Sequence, residues 1–225
     1  MSQQIISLHS LSVDEIMERI RDSIPFFHYD PKRHVIELQD EQYEPLGYVR
    51  LPLNYQLDGQ LEIVNEEAIV LYLSIESGNA ALVLMEGDRN LYHTTFSAYM
   101  TRKKQGFSQV KYLKKKGKSR AGSRVRLAET TSFFEKINTT VTEVMEEDEL
   151  DRLALGCSKT LIPFLFQSKI PFPMDKNDDR LYKIPLHIPQ SNFTNLEAAI
   201  NKLKTPVLLY QNDCRDTLID LLDLE

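Results

Sequence analysis

Three consecutive apolar stretches, separated by turn residues, constrain the fold of this chain most. Residues 69–75 and 79–86 are rich in aliphatic and β-branched side chains, and residues 91–99 follow after the turn Gly87-Asp88-Arg89-Asn90. Stretches of this length and composition, bounded by turn residues, are typical of β-strands. We therefore predict a β-meander over residues 69–99 at the centre of a sheet.

Helical patterns flank this meander. Ser12-Val13-Asp14-Glu15 is typical of a capping box and predicts a helix over residues 12–22. A longer amphipathic helix is predicted by apolar residues at three- and four-residue spacing, namely Phe134, Ile137, Val141 and Val144. The remaining patterns predict strands at 35–38, 161–166 and 207–210, and helices near 147–156, 195–204 and 213–224. The expected class is α/β or α+β, with a mixed sheet packed against helices.

A chain of 225 residues is long enough for one large domain or two small ones. We predict a central domain over residues 60–205, an N-terminal helix and strand extension over 1–59, and a C-terminal strand and acidic helix over 206–225. The longest apolar runs have six residues, too few to span a bilayer, and the N-terminus has no secretory pattern. Two cysteines without a partner at metal-ligand spacing favour a cytoplasmic protein without a metal site. We also expect a monomer that needs no cofactor and contacts no membrane.

Charge is distributed very unevenly along the chain. The segment from Arg102 to Arg126 contains no acidic residue, whereas the rest of the chain carries all 33 acidic residues and 16 of the 27 basic ones. Such a run favours an extended, solvated conformation, and it offers a local surface for phosphate groups. We therefore predict a long, mobile basic loop at about residues 102–124 that contacts nucleic acid. The alternative is a solvated loop without a binding role.

Several sequence blocks around this loop resemble one family. The blocks are His93-Thr94-Thr95-Phe96 with Tyr99, Arg102-Lys103-Lys104-Gln105-Gly106-Phe107-Ser108-Gln109, Ala121-Gly122-Ser123-Arg124-Val125-Arg126, Asp179-Arg180-Leu181 and Ile184-Pro185. In this order and spacing, they resemble the release-factor-like domain of the ankyrin-repeat and zinc-finger peptidyl-tRNA hydrolases, which act in ribosome-associated quality control. Those enzymes are distant relatives of the class I release factors of eukaryotes and archaea. The resemblance covers roughly residues 68–205 and implies a release-factor catalytic-domain fold.

The resemblance also implies roles for individual residues. Gln109 matches the glutamine of the release-factor Gly-Gly-Gln loop and would be catalytic, whereas Gln105 precedes it in a similar context. Loop shape would depend on Gly106, Ser108, Gly122 and Ser123. RNA phosphates would be bound by Arg102, Lys103, Lys104, Lys111, Lys114, Lys115, Lys116, Lys118, Arg120, Arg124 and Arg126. The implied partners are the large ribosomal subunit with its rRNA, and peptidyl-tRNA.

The chain also departs from the family pattern. Phe107 replaces a second glycine, and Leu127-Ala128-Glu129-Thr130 replaces the expected Arg-Tyr-Asn-Glu. No ankyrin repeat or Cys-His zinc finger accompanies the domain, which predicts a stand-alone form.

Three activities are compatible with these residues. The first is hydrolysis of the peptidyl-tRNA ester, because a neutral glutamine can orient a water without titrating. The second is cleavage of the tRNA near its 3′ end. The third is non-enzymatic docking on the ribosome or RNA.

Two further residues have alternative interpretations. His93 would be a partner of the catalytic loop or a structural residue of its strand. Phe107 would stack on a base or be an ordinary loop aromatic.

Overall fold

The computed structural model describes residues 4–58, 61–98 and 118–224, with side chains from residue 128 onward in the last range. Two compact units make up the chain. The first comprises Met1–Val70, Met85–Arg89 and Ala198–Glu225, and the second comprises Leu71–Leu84 and Asn90–Glu197.

Twelve strands and five α-helices lie in the described residues. The strands are β1 (Gln4–Ser7), β2 (Phe26–Asp30), β3 (Val35–Gln39), β4 (Pro45–Arg50), β5 (Gln56–Leu57), β6 (Ile63–Asn65), β7 (Ile69–Glu76), β8 (Asn79–Glu86), β9 (Arg89–Ser97), β10 (Arg152–Cys157), β11 (Leu181–Lys183) and β12 (Val207–Tyr210). The helices are α1 (Val13–Ser23), α2 (Lys118–Glu147), α3 (Ile162–Phe166), α4 (Phe193–Leu203) and α5 (Arg215–Leu221). A short 3₁₀ turn at Asn212–Cys214 precedes α5.

The first unit is built on an antiparallel sheet in the order β1-β12-β4-β3-β2. The predicted capping box begins α1: the Glu15 backbone N–H donates to Ser12 Oγ (3.2 Å), and the Ser12 N–H donates to Glu15 Oε2 (2.7 Å). The apolar stripe of α1 shares one buried core with the sheet and with Leu218 of α5. The segments expected as an N-terminal extension and a C-terminal appendix are therefore joined, because β12 lies between β1 and β4.

Gly47 of β4 shows how closely α5 approaches this sheet. A Cβ at this position would lie 2.8 Å from the Leu209 carbonyl oxygen and 3.0 Å from Leu218 Cδ1. The first distance is shorter than real Cβ contacts and the second is very tight, so glycine allows the helix and the neighbouring strand to pack here.

The second sheet has the order β11-β10-β7-β8-β9. It confirms the predicted β-meander, because β7, β8 and β9 are neighbours joined by two-residue turns. Strands β7 and β8 are buried along most of their length, as expected for central strands. Strand β10 pairs in parallel with β11, with Leu153 opposite Leu181. The sheet is mixed, as predicted.

Two of the predicted elements were wrong in type. Residues 147–156 were expected to form a helix, but α2 ends at Glu147 and residues 152–157 form β10. The buried run Leu153, Ala154 and Leu155 decides the outcome, because it occupies an interior strand with neighbours on both sides. Residues 161–166 were expected to form a strand, but they contain α3, with Pro163 in its first turn. A proline loses no hydrogen bond in a first turn, because those N–H groups have no partner within the helix.

Candidate functional site

The basic segment connects the edge strand β9 to the start of α2. Strand β9 ends at Ser97, and α2 begins at Lys118. Ten of the predicted site residues lie outside the described residues: Gln109, Arg102, Lys103, Lys104, Lys111, Lys114, Lys115, Lys116, Gly106 and Ser108. Phe107 and Tyr99 lie there as well. The roles assigned to these residues stay predictions.

The other predicted site residues lie within α2 rather than in a loop. Lys118, Arg120, Gly122, Ser123, Arg124 and Arg126 all fall in the first third of this 30-residue helix. The prediction of a loop over residues 102–124 is therefore wrong at its C-terminal end, because residues 118–124 are helical. For the same reason, Gly122 and Ser123, which were expected to shape the loop, lie within the helix. Only the part of the basic run before Lys118 separates β9 from α2.

The charge along α2 opposes the helix dipole. The first turn contains no acidic residue and the last turn contains no basic one. Four cations lie among the first nine residues, whereas Glu146 and Glu147 close the helix. The N-terminal end of a helix favours anions and disfavours cations, by typically 0.3–1 kcal/mol per charge. Bound phosphate groups would relieve this repulsion and accept hydrogen bonds from the free N–H groups of the first turn.

The later part of α2 anchors the helix in the second unit. Phe134, Ile137, Val141 and Val144 are buried, which confirms the amphipathic stripe read from the sequence. Two aromatic contacts extend this packing: Phe134 meets Phe133 edge-on at 5.2 Å between ring centroids and stacks on Phe164 of α3 at 5.8 Å. The basic start of α2 thus extends from a firmly packed stem.

Asn138 is a further anchor, and it lies within the apolar stripe of α2. Its side chain is fully buried, and its Nδ2 group donates to the carbonyl oxygens of Leu165 (2.9 Å) and Ile170 (2.7 Å). These bonds hold the chain on either side of Ser168 against α2. Asn138 is not among the residues predicted from the sequence, although a polar residue beside Ile137 on an apolar stripe is a signal that points to it.

Strand β9 presents much of its surface to solvent close to the basic segment. Phe96 is half-buried and lines a cleft of about 470 Å³ along α2, together with Ser132, Lys136, Thr139 and Thr140. The His93 ring lies 4.6 Å from the ring of Phe193, the first residue of α4, as measured between centroids. This contact gives His93 a packing partner within the described structure and is consistent with its structural reading.

The Asp179-Arg180-Leu181 block lies at the start of β11. The Arg180 guanidinium donates to both carboxylate oxygens of Asp178, through Nε (3.0 Å) and Nη2 (2.9 Å). This hydrogen-bonded pair lowers the pKa of the Asp178 carboxyl below its ordinary value. In the same region, the Ile184 N–H donates to the Leu155 carbonyl oxygen at 3.0 Å. The Leu153 N–H donates to the Arg180 carbonyl oxygen at 2.9 Å, so backbone hydrogen bonds at both ends of β11 hold it against β10, whereas the Arg180–Asp178 pair orders the turn before β11.

Within the part of the chain that the structure describes, no group of three or more His, Cys, Asp or Glu side chains is placed to hold a metal ion. Nor does any helix in those residues have the length and apolar character needed to cross a membrane.

Comparisons with known proteins provide the family. No curated protein matches the chain significantly. Among solved structures, the Vms1 mitochondrial localization core is similar at a TM-score of 0.46 with 11% sequence identity, covering 88% of this chain and 84% of that one. The model of the family bVLRF1, described as the Bacteroidetes VLRF1 release factor, matches residues 70–210. This match spans more than half of the chain and includes the meander, the basic segment and α2. The chain therefore belongs to the bVLRF1 release factor family.

Proposed function

We propose that this release factor family member is a ribosome-associated peptidyl-tRNA hydrolase that frees nascent chains from stalled ribosomes or large subunits. The observation that carries the proposal is the acid-free basic run, which enters the N-terminal third of α2 inside the region matched by the family. We further propose that the protein works as a cytoplasmic monomer on the large subunit, its rRNA and peptidyl-tRNA.

The chemistry suits a neutral catalytic side chain. Peptidyl-tRNA joins the peptide to the terminal ribose of tRNA through an ester, which water can hydrolyse once it is placed on the carbonyl carbon. Positioning and electrostatic stabilisation supply most of the acceleration in such a reaction. Gln109 carries an amide donor and acceptor for orienting this water, and its backbone N–H can stabilise the leaving 3′ oxygen. Gly106, close by, allows backbone to approach the substrate.

The basic residues would supply binding rather than chemistry. Lysine and arginine contacts to phosphate bind RNA with little regard to sequence and weaken as salt rises. The four basic residues in the first turns of α2 would form a preorganised part of this RNA-binding surface, because that part of the helix continues into a stem packed through Phe134 and Ile137. Bound phosphates would also offset the unfavourable dipole of this helix end.

The test compares the wild type with Gln109→Ala and with Gln105→Ala as a matched control in the same basic context. Each protein is incubated with stalled large subunits that carry labelled peptidyl-tRNA, and both the peptide and the tRNA 3′ end are analysed. We expect release by the wild type and by Gln105→Ala, and a loss of roughly 100-fold or more for Gln109→Ala. All three proteins should co-sediment with the subunits, because a neutral residue adds little phosphate affinity.

Two other results would replace the proposal. Shortened tRNA with the peptide still attached would identify a nuclease acting near the tRNA 3′ end. Co-sedimentation without release by any of the three proteins, together with binding lost when the lysines are replaced, would identify a docking module.

A further inference from the structure

A pocket of about 520 Å³ lies in the second unit. Its floor is formed where β7 and β10 end, at residues 74–77 and 156–158, and its walls come from residues 184–191 and Leu161. These two strands are neighbours in the sheet, and the chain leaves β7 toward β8 on one side but returns to β10 on the other. Concave sites of this kind, in which a few polar groups converge on largely apolar walls, are typical of small-molecule binding sites.

The polar groups of this pocket converge from separate elements. Ser74 and Ser191 are buried, and their hydroxyl oxygens lie 2.8 Å apart. Glu76 is half-buried, and Asn79 Nδ2 donates to its Oε1 at 3.1 Å, which leaves Oε2 as an acceptor. The hydroxyls of Ser77 and Ser158 stand at the exposed rim. The lining of the pocket therefore combines one carboxylate with several hydroxyl groups that can accept hydrogen bonds.

The remaining lining restricts what such a pocket can accept. No lysine, arginine, phenylalanine, tyrosine or tryptophan is among the described residues that line it. Phosphate groups would thus meet a carboxylate and no fixed cation, and nucleobases would find no aromatic platform of the kind that single-stranded nucleic acid requires. Aliphatic side chains form the walls instead, namely Leu161, Ile184, Leu186 and Ile188.

Cys157 and His187 also line the pocket, but burial makes the Cys157 thiol a poor nucleophile. Burial raises the pKa of the Cys157 thiol to about 11. The thiol donates to the Ser158 carbonyl oxygen at 3.5 Å. At neutral pH almost none of it is thiolate, which is the form that attacks a substrate.

We propose that this pocket binds an aliphatic ammonium group, with the charged nitrogen at Glu76 and the serine hydroxyls and the alkyl chain against the aliphatic walls. An ammonium carries three donors and no acceptor, which fits a site composed of a carboxylate and hydroxyls. Lysine side chains and polyamines share this chemistry, and both are compatible with a pocket of this volume.

The test is a titration of the full chain in which binding is monitored by the chemical shifts of backbone amides in NMR spectra. Three probes with the same alkyl length are compared: hexylammonium, hexanol and hexanoate. So small a probe is expected to bind in the millimolar range. We expect saturable shifts centred on Ser77, Gly156 and Ser158, with hexylammonium binding tightest and hexanoate not binding. Glu76→Gln should weaken hexylammonium binding about tenfold and remove its advantage over hexanol. Glu41→Gln, on the exposed turn before β4, is the matched control.

A second variant tests the position of the alkyl chain. A Cβ at Gly156 would lie 3.5 Å from the terminal carbons of Ile184 and Ile188, which is ordinary contact. Gly156→Ala should therefore fold normally and weaken the binding of both hexylammonium and hexanol. Equal binding of hexylammonium and hexanoate, or hexylammonium binding unchanged in Glu76→Gln, would overturn the proposal, and so would the absence of any shift in the wild type. A capped lysine and spermidine are then titrated into the wild type and into Glu76→Gln. The source of the ammonium group is identified by the ligand that binds the wild type more tightly and loses affinity in Glu76→Gln.

Discussion

Asn138 illustrates how one polar residue can hold two elements together. It occupies a fully buried position in α2 and donates from Nδ2 to two carbonyl groups, those of Leu165 and Ile170. An apolar replacement would leave both carbonyl groups without this donor inside the protein. Because a buried acceptor without a partner costs free energy, Asn138 stabilises the α3 segment beyond what its own packing contributes.

At this residue scale, Asn138→Ala is expected to lower the free energy of unfolding by about 2–4 kcal/mol, through the lost hydrogen bonds and the cavity left behind. Urea denaturation measures the change. Thr139→Ala is the control, because Thr139 is only half-buried and its hydroxyl donates to the Glu135 carbonyl within the same helix. The control should lose less than about 1 kcal/mol. Equal losses in the two variants would contradict the assigned role.

Helix α2 combines two opposed requirements. Its later part is a packed stem, whereas its first turns carry cations where the dipole favours anions. A helix selected for stability alone would carry Asp or Glu in the first turn and Lys or Arg in the last. Under the proposed function, phosphate groups bound at this end of the helix would account for the reversed charge.

At the element scale, the double change Lys118→Glu with Arg120→Glu should raise thermal stability slightly, by about 0.3–1 kcal/mol per charge. The same change should weaken large-subunit binding and reduce its salt dependence, because fewer phosphates are contacted. Thermal denaturation and co-sedimentation across a salt series measure the two effects. Lys136→Glu, at an exposed position in the middle of α2, should alter neither strongly. A loss of stability with unchanged binding would contradict this interpretation.

The whole molecule depends on contacts between residues that are far apart in the chain. Strand β12 pairs with β1 on one side and with β4 on the other, with Leu209 opposite both Ile5 and Tyr48. Leu208, Tyr210, Leu218 and Leu222 share one core with the stripe of α1. The first unit therefore needs both ends of the chain.

At this scale, truncation after residue 205 should disrupt the first unit, because it removes an interior strand and leaves β1 without its partner. Hydrogen exchange measures the effect: amides of β3 and β4 should lose most of their protection. Amides of β8 and β10, in the second sheet, provide the reference in the same experiment. Unchanged protection in β3 and β4 would show that the N-terminal segment folds without β12.

Much of this organisation was predictable because its causes are local. The Ser12 capping box, the Phe134–Val144 stripe and the meander of β7, β8 and β9 all follow from neighbouring residues, through hydrogen bonds within one turn or the period of apolar side chains. The basic run is equally local, and the phosphate-binding surface that it predicts stays a prediction. The family blocks within residues 70–210 led to the release factor fold for the same reason.

Other features depended on the partners that each segment meets in the folded chain. Residues 152–157 became a strand because β7 and β11 lie on both sides of them, and the acidic run before them could not reveal those neighbours. The pairing of β12 with β1 and β4 joins segments separated by more than 150 residues, so no local pattern contains it. The same is true of the pocket, where Ser74 meets Ser191. Sequence by itself determined where helices cap, which faces are apolar and where positive charge accumulates, because these are properties of adjacent residues. Tertiary structure alone decided the strand neighbours and the convergence of Glu76 with distant hydroxyls, because both arise only when the chain closes on itself.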